Sequence, residues 1–143
     1  MQILFSLLMA LFAGHSQQTK PVALDVIPTV SYCELIRNPN LYAEKLVRVK
    51  ATWEYGFEMS DLYDPECLGK DHAAWIEMAD EDQLCAVAKK NLKKLKPEGF
   101  AKADVTVVGK IYAGRRYGHE NGYDYKFVAT CLEAVKRIPL DTP

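Results

Sequence analysis

The sequence predicts a mostly β domain with two helices, in which five strands close into a barrel. Three observations carry this expectation: a long strand with period-two alternation at residues 46–55, one amphipathic helix that interrupts the strands, and two long strands near the C-terminus. In the first of these, Leu46-Val-Arg-Val-Lys-Ala-Thr-Trp-Glu-Tyr55, the residues Val47, Val49, Ala51, Trp53 and Tyr55 fall on one side. Arg48, Lys50, Thr52 and Glu54 fall on the other. Side chains alternate across a sheet, so one face of this strand is apolar and the other charged.

The 143-residue chain suits a single domain, and 49% apolar with 26% charged residues is ordinary for a folded protein. A net charge of −1 lacks the global pull of a general nucleic-acid binder and argues against that partner class. The apolar run at residues 3–13 is shorter than the roughly 20 residues of a spanning helix and fits the core of a signal peptide. The expected organisation is a signal peptide over 1–16, a flexible leader over 17–28, one domain over 29–138 and a tail over 139–143. The mature chain is then exported, periplasmic or extracellular, without a membrane span. An even count of four cysteines, Cys33, Cys67, Cys85 and Cys131, predicts two disulfides in such a domain. Three pairings are open. The lack of a Cys-x-x-Cys spacing argues against a zinc ribbon or a thioredoxin-type pair.

In chain order, Ser31 with Glu34 three residues on forms a capping-box pattern. The stripe Tyr32, Leu35, Ile36 makes a helix of two turns that Asn38-Pro39 ends. The opening strand follows, and Gly56 after it suggests a bulge or bend. Residues 57–63 form a second short strand or a bent continuation, and residues 64–69, with Pro65 and Gly69, form a loop. Residues 73–78 read as a short central strand, apolar on both faces near Trp75 and Ile76. Asp80 and Gln83 offer a capping box for the main helix, whose stripe is Leu84, Val87, Ala88, Leu92 and Leu95. Acids at its start and lysines at its end favour the helix dipole. Residues 104–112 are rich in β-branched side chains. Residues 123–131 alternate, with Tyr123, Tyr125, Phe127, Ala129 and Cys131 on one side, and residues 132–138 extend them.

This order matches the five-stranded OB barrel, in which a helix sits between the third and fourth strands. The alternative is an α+β open sheet. The stretch Asn38-Pro-Asn-Leu-Tyr42 with Lys45-Leu-Val-Arg-Val-Lys50, together with Cys33, Cys67, Trp75-Ile76-Glu77 and Tyr117-Gly118-His119…Tyr123, resembles small exported bacterial domains with OB-like folds. Most of that group have no assigned biochemical function. The resemblance spans most of residues 31–137 and implies fold and export, but no catalytic residues. Glu44 and Ala51 stand where its pattern has glycine, which suits backbones that avoid positive φ.

The richest polar stretch, residues 115–123, is expected to connect the last two strands, beside the ligand face of such barrels. Arg115, Arg116, Tyr117, His119 and Tyr123 supply guanidiniums, rings and an imidazole that suit a phosphate, a sugar or a short peptide. Tyr55 and Phe57 extend the aromatic surface. No Gly-x-Ser-x-Gly elbow occurs, and His72 and His119 form no spaced pair on one element, so neither a catalytic residue, a metal nor a cofactor is expected. The sequence therefore reads as a non-catalytic binding module for a small ligand or an envelope protein. An envelope structural or protein-interaction domain is the second reading, and a small hydrolase or metal-dependent enzyme the third.

Overall fold

The computed structural model describes residues 26–67, 69–95 and 99–139. The expected signal peptide, and most of the leader and tail, lie outside the described residues. Seven regular elements follow one another: α1 (Tyr32–Arg37), β1 (Val47–Gly56), β2 (Met59–Tyr63), β3 (Ala74–Met78), α2 (Ala86–Leu95), β4 (Ala101–Tyr112) and β5 (Tyr125–Ile138). The strands close in the order β1-β2-β3-β5-β4, with β4 returning to β1. β3 and β5 run parallel and every other pair is antiparallel. This is an OB-like barrel, with α2 between β3 and β4. Among the described residues no helix is long and apolar enough to cross a membrane.

β1 earns its central place by pairing on both edges, with β2 through Thr52–Gly56 and with β4 through Val47–Tyr55. Its apolar face enters the core, where Val47 and Val49 meet Leu62, Ile76, Ala103, Val107, Phe127 and Leu132. Each large apolar side chain buried there contributes about 1.5–3 kcal/mol. The Trp53 indole N–H is satisfied by the Ser60 hydroxyl at 3.1 Å, which itself donates to the Ile76 carbonyl. Gly56 is the last residue before the two-residue turn Phe57-Glu58 and is not a bulge.

The irregularities sit in β5 instead. Register shifts opposite Thr106/Val107 and Val108/Gly109 leave Glu133 and Thr130 as extra residues. The alternation read from residues 123–131 is thereby broken, because Cys131 and Leu132 are both buried and Cys131 joins Ile27 and Val108 in a separate small cluster. α2 uses the carbonyls around these bulges. Cys85 N–H donates to Thr130 O at 3.0 Å, and the buried Asn91 amide donates to Leu132 O and Glu133 O at 2.8 and 3.0 Å. Docking Cys85 there delays the helix: residues 81–83 form a separate 3-10 turn, the Asp80 side chain caps nothing, and α2 starts at Ala86. Asn91 is buried on α2 with Ala88 and Leu95, whereas Val87 of the expected stripe is exposed.

The disulfides are Cys33–Cys67, which ties α1 to the β2–β3 loop, and Cys85–Cys131, which ties the start of α2 to β5. Two such bonds suit an oxidising compartment. α1 forms with the first half of its capping box, Ser31 Oγ accepting from Glu34 N–H, while the Glu34 carboxylate accepts from Asn38 and Tyr42. The buried Tyr32 hydroxyl donates to His72 O and accepts from Ala74 N–H, and burial pushes its pKa up.

Two expectations need correcting here. Residues 26–28, read as the end of a flexible leader, line the barrel: Ile27 is buried and Pro28 O accepts from Arg48 N–H at 2.8 Å. Arg48 fastens this edge through Ile27 O and a bidentate pair with Glu133 at 2.7 and 2.8 Å. Glu44 does take a left-handed backbone, φ 61°, so it occupies a glycine-type turn position; Ala51 lies in β1 and does not.

Candidate functional site

The loop between β4 and β5 folds back on the barrel's outer face. Tyr117 and Tyr123 exchange both backbone hydrogen bonds, at 2.9 and 3.1 Å, and enclose a single turn at His119–Asn121. Gly118, at φ 70° and ψ −164°, occupies a region open essentially only to glycine. A Cβ there would lie 2.7 Å from the Trp75 ring and 2.6 Å from Tyr123. The loop backbone therefore rests directly on Trp75. Tyr123 meets Trp75 edge to face at 5.3 Å, and its hydroxyl donates to the Asp61 carboxylate at 2.5 Å. Burial, then the bond to Asp61, raises the Tyr123 pKa to about 12.

The strand register extends this contact into a strip. Parallel pairing sets Trp75 beside Lys126, and antiparallel pairing sets Lys126 beside Tyr112. Lys126 Nζ lies 5.4 Å from the Tyr112 ring centroid and 5.7 Å from that of Tyr117, within cation–π range. It also pairs with Glu77 at 3.1 Å. His119 Nε2 stands 3.2 Å from Glu58 on the β1–β2 turn, and Arg116 pairs with Asp124 while donating to Asn121 O. Four rings thus share one outward strip, flanked by the ion pairs Lys126–Glu77 and Arg116–Asp124, with the Asp61 carboxylate under the Tyr123 hydroxyl.

The seven residues expected to bind ligand are distributed over four places. Tyr117, His119 and Tyr123 join the strip. Arg116 braces the loop, and with Arg115 it lines a separate groove of about 510 Å³ beside Pro39 and Asn40. Tyr55 points to the helix end: its ring packs against Trp53 at 5.2 Å and its hydroxyl donates to Leu95 O. Phe57 stands 91% exposed at the tip of the β1–β2 turn. Trp75, Tyr112, Glu77 and Lys126 complete the strip without having been singled out as site residues. The tryptophan reads as buried core from its apolar neighbours, and only the long-range β3–β5 register places the lysine beside it.

Next to the strip, Glu54 is buried under Tyr63 and Lys70, with oxygen distances of 2.9 and 2.7 Å. Burial alone would raise its pKa, but the hydrogen bonds from Lys70 and Tyr63 and the charges of Lys70 and Lys102 outweigh it and hold the carboxyl below its usual value. Tyr63 is pushed up to about 12, by burial and then by its bond to Glu54. No protein-family model, no curated protein and no solved structure matches the chain.

Proposed function

We propose that this barrel is an exported, non-catalytic binding module whose ligand surface is the strip Trp75, Tyr112, Tyr117 and Tyr123. The observation that carries the reading is four aromatic rings on one outward face whose flanking cations, Lys126 and Arg116, are each paired with a carboxylate. Rings whose flanking cations are already paired favour an uncharged ligand that presents an apolar ring face and hydroxyls, which is the chemistry of a neutral saccharide; the Asp61 carboxylate is an acceptor suited to such hydroxyls. Export is supported by the signal-like run at 3–13 and by the two disulfides.

Fluorescence tests it directly. In a Trp53→Phe background Trp75 is the remaining tryptophan. Titration with neutral hexasaccharides of glucose and N-acetylglucosamine should change its emission saturably. Tyr112→Ala, at an exposed ring, should weaken binding about tenfold, the scale of one stacking contact. A flat response to every neutral oligosaccharide at millimolar concentration rejects the saccharide reading.

A second reading, a protein-interaction domain of the cell envelope, is favoured by two exposed rings at one end of β1. Phe57 is 91% exposed, and Phe100, 45% exposed, lies against Gly56. It predicts that Phe57→Ser leaves saccharide binding intact and abolishes association with an envelope partner.

A further inference from the structure

A groove of about 540 Å³ lies away from the aromatic strip, across β1, β4 and β5. Register sets Thr52, Asp104 and Lys136 side by side on three adjacent strands, and Lys50 beside Thr106 one step outward on the same face. The tight turn from Asp64 to Cys67 forms the wall. It is closed by Cys67 N–H to Asp64 O, by Glu66 N–H to Asp64 Oδ1, and by the Cys33–Cys67 disulfide behind it. Within this groove Lys50, Lys136, Asp104, Asp64 and Glu66 make no ion pair with any described residue. Five charges of both signs around a small apolar floor at Ala134 leave neither a plain anion nor a plain cation favoured.

We propose that this groove binds a short zwitterionic peptide, its ammonium group against the Asp64/Glu66 wall and its carboxylate at Lys136. The span fits. β2, which leads into the wall, and β5 are three strand spacings apart, roughly 14 Å, which an extended tripeptide of about 10 Å covers with the added reach of the Glu66 and Lys136 side chains. The central Asp104 and Thr106 face the peptide's amide N–H and C=O groups. The volume suits such a ligand, small sites commonly measuring about 300–1,000 Å³. Nothing in this proposal rests on the saccharide reading of the aromatic strip.

Trialanine is the probe, followed by amide chemical shifts on the intact, oxidised protein. It should shift Thr52, Asp104, Thr106 and Lys136 saturably in the millimolar range and leave Trp75 and Tyr123 unmoved. Capping its carboxylate as an amide should weaken binding about two- to fivefold, the worth of an exposed ion pair. Lys136→Met should cost the same and abolish any further loss on amidation. Equal shifts from N-acetyl-trialanine amide on the unaltered protein, or none from trialanine, overturn the proposal without recourse to a variant.

Discussion

The aromatic strip and the polar groove occupy the outer surface of one barrel and treat charge in opposite ways. On the strip, Lys126 meets Glu77, Arg116 meets Asp124 and His119 meets Glu58, so the rings are what remains to be contacted. In the groove, Lys50, Lys136 and Asp104 stand on neighbouring strands without closing an ion pair, and no ring intervenes. The scaffolding differs as well. The strip is held by a loop pressed on Trp75 and by hydrogen bonds to Asp61, whereas the groove wall is fastened by a disulfide. Two surfaces on one fold can thus be tuned separately, because β4 and β5 present Tyr112 and Lys126 to the strip and Asp104, Thr106 and Lys136 to the groove.

The largest expected effect separates the two by their fastenings. Replacing Cys33 and Cys67 by alanine reopens a 34-residue separation, worth about 3–4 kcal/mol in the chain-entropy account. Denaturant unfolding should show that loss. Hydrogen exchange should quicken most at residues 64–67 and least at 117–123. Uniform quickening would mean that the wall and the strip are one cooperative unit.

Gly118→Ala attacks the other side. The substitution forces a left-handed backbone and a contact under 3 Å with Trp75, together about 1–3 kcal/mol. Trp75 emission should shift and saccharide binding should fall, while trialanine shifts in the groove stay as they were. Unchanged emission would show that the loop does not bear on Trp75.

The same comparison explains what could be foreseen from the chain. β1 was legible because its alternation is unbroken, and α1 because the Ser31 cap on Glu34 N–H is a local contact three residues long. The Asp80/Gln83 signal misled, since a 3-10 turn consumes it so that Cys85 can reach Thr130 and Cys131. The alternation in β5 failed at Thr130 and Glu133, where bulges reset the faces. Tyr117, His119 and Tyr123 were visible as a loop between strands. Their partners Trp75 and Lys126 were not, because a parallel register between strands some 50 residues apart leaves no local trace. Tyr55 belonged with the apolar face of its own strand, and that alternation already placed it away from the loop.

Titration separates the surfaces more gently. Tyr63 and Tyr123 have pKa values near 12, above the usual value of about 10. The stability they supply is complete below pH 10 and is lost as the pH rises towards 12. Tyr123→Phe should therefore cost about 1 kcal/mol at neutral pH, for the lost bond to Asp61, and should flatten part of the alkaline fall in Tm. Glu54 works in the opposite direction. Its lowered pKa gives stability that is present above the ordinary glutamate range and lost as the pH falls through the folded value. Lys70→Met should weaken that acid dependence and, because the Lys70 charge also holds the Tyr63 pKa down, move the Tyr63 part of the alkaline limb to higher pH. An acid limb that survives the substitution would place its origin outside this network.

The smallest effect is also the cleanest control, since it touches neither surface. Glu44 sits at φ 61° in the turn closed by Lys45 N–H to Tyr42 O. A non-glycine residue in that conformation costs about 1 kcal/mol, part of which glycine would return as entropy in the unfolded chain. Glu44→Gly should therefore raise stability by a few tenths to about 1 kcal/mol. It should leave both Trp75 emission and the trialanine shifts untouched. A loss of stability instead would show that the Glu44 side chain contributes more than its backbone costs. A change in either binding readout would show that the turn entering β1 is coupled to the outer face, through the strand whose two edges hold the barrel closed.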